Sequence, residues 1–393
     1  MNPLISIIVP VYNCEKRIAI FHQSVSNQTF NDFEVIYVDD SSTDSSLDLL
    51  NKIKSQEKNV EVKSHLKNLG AGDARNTGLN ISRGKYLCFL DADDYIAETY
   101  IEVLIRNIEL TNADIVVCNY NIINEINGVI TTSSKYKAAE YSGNDSLKIF
   151  VENLFNPAPW GKIYKKELFI KNKITFPTRI AHQDFATIPL VVERSKKIVV
   201  IDDILYNYVQ NPEGYSLTAK EIHTYSIFKA FEIIYAHFKV HAPEQLENDL
   251  FRQIVVGRFR YNLNQRWNKF TEDHLFEYIT NFVNYYNSHK WEKHVLSLVD
   301  QALLNCLKKI LIKEEYKFLI VSLDQNWLSD YQKYYISNIE IVNLSDKSDL
   351  RLSHKNSIIN KELKWYSETY DHLPKWFLKI GGIFRRIKFK KGF

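Results

Sequence analysis

An α/β fold, with a mostly parallel sheet covered on both faces by helices and a mainly helical C-terminal region, is what the sequence predicts. Three observations carry this. Through the first 120 residues, short runs of nearly continuous Ile, Val, Leu and Phe alternate with helical stretches. Strands that are apolar on both faces belong to parallel sheets, whose crossover helices cover both sides. From residue 221 to 313 the pattern changes to helical periodicity, with Phe228, Phe231, Ile234, Tyr235 and Phe238 on one face.

Taken in order, strands are expected over residues 5–11 (ISIIVPV), 33–38 (FEVIYV), 60–65, 86–90 and 114–118. Helices are expected near 15–27, 44–55, 71–81 and 97–111. Residues 128–215 are mixed and include a strand-like run at 197–201, and another strand-like run, KFLIVSL, occupies 317–323. The expected organisation is a catalytic domain over 1–215, a mainly helical region over 216–360 and a basic amphipathic tail over 361–393.

Composition narrows the function. The net charge of +3 is uneven: seven cations between Pro374 and Phe393 leave a mildly acidic body, which does not suggest nucleic-acid binding by the body. Cys14, Cys88, Cys118 and Cys306 are scattered without metal-ligand spacing, as in a reducing cytoplasmic compartment. The opening Met1-Asn2-Pro3-Leu4 has no basic segment ahead of an apolar run, and no stretch reaches the roughly 18 apolar residues of a membrane span. A cytoplasmic protein is expected. In the tail, Trp376, Ile380, Ile383, Phe384 and Ile387 share one helical face, with Lys379, Arg386 and Lys390 elsewhere. A basic amphipathic helix of this kind suits an anionic membrane surface, so the protein is expected at the inner face of the cell membrane. Gly381 and Gly382 oppose the helix.

Ligands of parallel α/β sheets bind at the carboxyl ends of the strands, so the residues just after each strand are the informative ones. After the first come Pro10-Val11-Tyr12-Asn13, after the second Asp39-Asp40-Ser41-Ser42-Thr43-Asp44, and after the 86–90 strand Asp91-Ala92-Asp93-Asp94. In extended backbone, positions i and i+2 point the same way, so Asp91 and Asp93 face one side. Two carboxylates beside a small residue suit Mg²⁺ or Mn²⁺, which takes one or two carboxylates together with phosphate oxygens. The same residues also suit a helix N-cap at Asp93 or Asp94. Asp39 or Asp40 is placed to accept hydrogen bonds from a nucleobase imide or a ribose, and the local sequence does not choose between them. In the stretch 68–78, two glycines permit a tight turn into a helix, and Arg75 either reaches a phosphate or sits on the surface.

Together, ISIIVPVYN, VDDSSTD, NLGAGDARNTGL and KYLCFLDADDYI resemble the family 2 glycosyltransferases, inverting enzymes with the GT-A fold. The resemblance holds in order and spacing over about the first 120 residues and continues weakly to about Tyr215. It implies a nucleotide pocket on Pro10, Val11, Tyr12, Asp39 and Arg75, with their neighbours Asn13, Asp40 and Ala92. It also implies Asp91 near the ribose and Asp93 on the metal. An acidic pair later in the chain supplies the family's base, and His182-Gln183-Asp184-Phe185 is similar, with Gln183 where Glu is common. Asp184 is then the general base. Trp160-Gly161-Lys162-Ile163-Tyr164 resembles a further element, which makes Trp160, Lys162 and His182 acceptor-side candidates, although a core Trp and a surface Lys are equally ordinary. Ser41 stands where the family often has glycine. The implied activity is hexosyl or N-acetylhexosaminyl transfer from a UDP-sugar to a glycan or lipid-linked acceptor in surface polysaccharide synthesis. The alternatives are a catalytically silent nucleotide- or glycan-binding protein of the same fold and a nucleotidyltransferase.

Overall fold

The four apolar runs at the start of the chain form four adjacent parallel strands. In the computed structural model, which describes residues 2–210, 221–247, 249–266, 270–289 and 291, the first part of the chain runs β1 (Ile5–Val11), α1 (Ile18–Ser26), β2 (Phe33–Asp39), α2 (Ser46–Gln56), β3 (Val60–Ser64), α3 (Ala71–Ile81) and β4 (Tyr86–Phe89). There follow β5 (Tyr95–Ile96), α4 (Tyr100–Thr111), β6 (Ile115–Asn124), β7 (Ile130–Ser133), β8 (Ala139–Tyr141), α5 (Ser146–Val151), β9 (Lys162–Lys165) and α6 (Glu167–Asn172). The rest is α7 (Gln183–Glu193), β10 (Ile198–Gln210), α8 (Ile222–His241), α9 (Pro243–Glu247), α10 (Leu250–Arg266) and α11 (Glu272–Ser288). The expected strand at 317–323 and the basic tail lie outside the described residues.

The sheet order is β3-β2-β1-β4-β9-β6-β10-β5, with β7 on β6 and β8 on β10. Among the described residues β1 to β4, β6 and β10 run in one direction, while β9 lies antiparallel between β4 and β6. Both faces are apolar because both are covered. Ile5, Ile7, Val9 and Val11 pack with Ile18, Phe21 and Val25 of α1 and Leu104, Ile105 and Ile108 of α4. On the other face Ile36 and Val38 meet Ala74 of α3.

The strands β6 and β10 run well past their apolar starts. The strand expected to end at 118 continues to 124 and the one expected to end at 201 continues to 210, the two pairing in parallel across a bulge between Val200 and Tyr206. The Asn119 side chain secures that irregularity by donating to the Ile201 and Asp202 carbonyls at 3.3 and 3.2 Å. The extension carries both strands to the same sheet edge as Val11, Asp39 and Phe89. The chain divides into two compact units after His274; the sheet and helices α1 to α10 lie in the first. Among the described residues no helix is long and apolar enough to cross a membrane.

Helix α3 lies so close on β1 that a Cβ at Gly78 would stand 2.4 Å from Ile8 Cγ2. Gly78→Val is therefore expected to lower unfolding stability by about 1–3 kcal/mol through overpacking. Denaturant unfolding checks this, and an unchanged midpoint would contradict the close approach.

Candidate active site at the carboxyl edge of the sheet

Two loops interlock at the edge. The Thr43 N–H donates to Asn13 Oδ1 at 2.8 Å, and the Asn13 N–H donates to Ser42 Oγ at 3.0 Å. The Cys14 N–H reaches Ser46 Oγ at 2.8 Å, and the Ser45 N–H reaches Glu15 Oε2 at 3.1 Å. Asn13 and Ser41 both have left-handed backbone, with φ of 52° and 63°. Asparagine tolerates that region, and a glycine at 41 would adopt it without a Cβ penalty. Asn13 thus acts on the neighbouring loop through its side chain. Pro10 is half-buried, Val11 and Ala92 are buried, and Tyr12 keeps 47% of its surface exposed at the rim.

The two aspartates at the end of β2 differ. Asp40 accepts from His65 Nδ1 at 2.7 Å, from the Leu69 N–H at 2.9 Å and from the Gly70 N–H at 2.6 Å. Its carboxylate is occupied in holding the turn into α3. Asp39, fully buried, accepts from the Ser42 N–H at 3.3 Å and from Ser64 Oγ at 3.1 Å. A carboxylate offers about four acceptor positions, so Asp39 retains capacity for another donor.

Arg75 projects from the first turns of α3, which begins after Gly70 at φ 96°. It is 3% exposed and donates from Nη2 to Asp91 Oδ1 at 2.5 Å. Its Nε and Nη1 are buried without a hydrogen-bond partner, as is Gln183 Oε1. Buried polar atoms are nearly always satisfied, so orphans here fit groups that a ligand completes. Asp93 is exposed at the rim. The surrounding protein, and after it the like charge of Asp91, push its carboxyl up to about 6, with Arg17 pulling down and Glu125 adding to the rise. Asp94 is buried, accepts from the Tyr206 hydroxyl and from the Val209 N–H at 2.8 Å, and is pushed well up by burial, then by Asp93 and Asp91. It ties the turn to β10.

Asp184 lies in the first turn of α7 and is half-buried. Burial pushes its carboxyl up, the Phe185 N–H, Arg75 and Arg258 pull it down, and Asp91 raises it. The residues expected to carry the donor and acceptor chemistry therefore share one electrostatic environment. Gly72 makes this possible: a Cβ there would stand 2.9 Å from the Pro177 carbonyl and 3.4 Å from Gln183 Cγ. Asn76 fastens the same segment, donating to the Phe176 carbonyl at 2.8 Å and accepting its N–H at 2.9 Å.

The acceptor-side candidates are more embedded than expected. Trp160 is 8% exposed, stacked on Tyr206 at 4.6 Å and on Tyr208 at 5.5 Å. Lys162 is 1% exposed, and its Nζ donates to Asn156 Oδ1 at 3.0 Å and to the Ala158 and Trp160 carbonyls at 2.8 and 3.2 Å. All three ammonium donors are engaged by the loop before β9. Burial pushes its pKa down to about 7, with Cys118 and then Asp184 opposing. Three acceptors around one nitrogen nonetheless favour the ammonium, because a neutral amine has only two hydrogens to give. His182 immediately precedes α7, its ring centroid 6.1 Å from that of His223.

A hard divalent cation fits the donor set in part. Asp91 and Asp93 would supply oxygen ligands whose mutual repulsion a cation would relieve. Among the described residues no group of three or more His, Cys, Asp or Glu is poised to hold a metal, so the remaining ligands would be phosphate and water oxygens. Sequence reasoning missed Tyr206, which lies 112 residues from Asp94, and the ion pair of Arg17 with Glu125 beside Asp93. Neither contact leaves a local pattern.

The sequence pattern of Glycosyl transferase family 2 matches residues 6–182. Glycosyltransferase GlyG of Streptococcus pneumoniae is 31% identical over 224 residues, covering 53% of this chain and 71% of that protein. A poly(ribitol-phosphate) beta-glucosyltransferase of Bacillus spizizenii is 33% identical over 258 residues, covering 65% of this chain and 40% of the relative's length. The crystal structure of S. aureus TarS 1–349 in complex with UDP-GlcNAc superposes with a TM-score of 0.66 at 23% identity, covering 81% of this chain and 92% of that one. That likeness shows the fold: a mixed sheet with most strands parallel, flanked by helices.

Lys162→Met keeps the aliphatic stem and leaves the loop's acceptors without their donor. It is expected to lower unfolding free energy on the order of 3 kcal/mol, measured by denaturant titration. Loss of activity with undiminished stability would return Lys162 to the ligand-facing candidates.

Proposed function

The chain belongs to the family 2 glycosyltransferases, and from that premise we propose that it moves a hexosyl or N-acetylhexosaminyl group from a UDP-sugar to a glycan or lipid-linked acceptor hydroxyl in surface polysaccharide synthesis. Inversion at the anomeric carbon is part of the proposal. The observation that carries it is the pairing of buried Arg75 with half-buried Asp91, with two unpartnered arginine nitrogens, beside Asp93 and within electrostatic reach of Asp184. The Bacillus relative, named for transferring glucose to poly(ribitol phosphate), supports a polymeric acceptor.

Asp39, buried and with acceptor capacity left, takes the imide N–H of the uracil, while Tyr12 at the rim covers the base. Arg75 contacts the diphosphate. Asp93, with Asp91 beside it, would hold Mn²⁺ or Mg²⁺, which when bound supplies Lewis-acid stabilisation of the leaving diphosphate. Asp184 removes the acceptor's hydroxyl proton as its oxygen bonds to the anomeric carbon and the bond to the diphosphate breaks. The transition state has oxocarbenium character, and one inverting step needs no covalent enzyme intermediate. In this reading residues 1–215 carry the catalysis, and the basic tail, 361–393, brings the enzyme to an anionic membrane face. Deleting 361–393 is expected to abolish sedimentation with anionic vesicles, and undiminished sedimentation would remove the anchor.

A base works only when ionised, and burial holds the Asp184 carboxyl above its usual range. Turnover should therefore rise with pH through that elevated pKa and level off above it, with the acid limb of kcat/KM above the value of about 3.9 for an exposed aspartate. Asp184→Asn is expected to remove this limb and to lower kcat by about 10²- to 10⁴-fold, with UDP affinity little changed. UDP release from a sugar-nucleotide panel, with and without Mn²⁺, reads the reaction. A variant that alters only the acceptor KM would show that Asp184 is not the base, and UDP binding without transfer to any acceptor would favour a silent binding protein.

A further inference from the structure

We propose that Tyr206 is a positioning residue for the Asp91-Ala92-Asp93 turn, an inference that rests on the transferase role given to that turn. Tyr206 lies in β10 and has no exposure. Its hydroxyl donates to Asp94 Oδ2 and accepts the Asp91 N–H at 3.4 Å. The other Asp94 oxygen accepts the Val209 N–H at 2.8 Å, and the Asp94 N–H closes the turn onto the Asp91 carbonyl at 3.2 Å. One phenol thus holds both ends of the segment that carries Asp93. Tyr206 also pairs with Ile96 across β10 and β5, so the strand leaving the turn is fixed to the same residue.

The ring itself has little freedom. Trp160 stacks on it at 4.6 Å with an interplanar angle of 3°, and Tyr100 packs beside it at 6.3 Å. Trp160 in turn stacks on Tyr208 and takes Tyr120 against its ring at 79°. A hydroxyl on a ring held this way stays where it is when ligands come and go. That matters because Asp91 and Asp93 repel one another, and the Arg75 guanidinium bonded to Asp91 offsets the charge without fixing the backbone of the turn. A tyrosine acting in the core alone would need one acceptor; this one engages the residues on both sides of Ala92-Asp93.

Tyr206→Phe keeps the ring and its stacking and removes only the hydroxyl. The Mn²⁺ concentration for half-saturation in the presence of UDP, read by Mn²⁺ electron paramagnetic resonance, should rise about tenfold, with a comparable loss in kcat. A stability role alone would lower the melting temperature and leave Mn²⁺ half-saturation at the wild-type value, and that result overturns the proposal. Should Tyr206→Phe fail to fold, Asp94→Asn carries the test. Its amide has one acceptor oxygen for two donors, so the same rise is expected, and an unchanged value overturns the proposal. Absence of Mn²⁺ binding by the wild-type protein with UDP would instead bring down the reading of Asp93 itself, together with the inference built on it.

Discussion

Repulsion among carboxylates at one sheet edge is the constraint around which the local structure is arranged. Asp39, Asp40, Asp91, Asp93 and Asp94 all lie at or just after strand ends, and each is accommodated differently. Asp40 is held by an imidazole and two backbone N–H groups, and Asp91 by the Arg75 guanidinium. Asp94 is buried with a raised pKa, bonded to a phenol and a backbone N–H. Asp93 stays exposed beside them, its carboxyl raised to about 6. Its excess negative charge is what a cation would neutralise.

The same constraint explains why the edge is so heavily cross-linked by hydrogen bonds. Turns that carry like charges open unless something outside them holds them shut. Here the loop after β1 is fastened to the loop after β2 through Asn13, Ser42 and Ser46. The turn after β4 is fastened to β10 through Tyr206. Rigid placement of charged groups before a ligand arrives is how electrostatic stabilisation avoids reorganisation during reaction.

Much of this was legible in the sequence, for identifiable reasons. Parallel strands buried on both faces leave uninterrupted apolar runs, and the expected bounds of 71–81 match α3 because Gly70 and Ser82 bracket a clear helical stretch. Strand-end aspartates were visible because they interrupt those runs abruptly. What stayed hidden depends on partners distant in sequence. Nothing near Lys162 announces that residues 156–160 fold back over its ammonium. Likewise, the continuation of β10 over 202–210 depends on its pairing with β6 and on Asn119 at the bulge, partners outside any local pattern. The proposed preference for Asp39 over Asp40 rests on the hydrogen bonds that Leu69 and Gly70 give Asp40, which short-range patterns do not contain.

The least legible relation joins the two halves of the proposed reaction. Asp184 follows Asp91 by more than ninety residues, and its approach to Arg75 depends on Gly72 admitting the Pro177 carbonyl against α3. Once there, Asp184 feels Arg75 lowering its pKa and Asp91 raising it. Burial is the leading cause and keeps the carboxyl's proton affinity above that of an exposed aspartate, against the Phe185 N–H, Arg75 and Arg258, which lower it. A base with that property accepts a hydroxyl proton more readily than an exposed one. The packing of a glycine thereby sets the chemistry available at a carboxylate far along the chain.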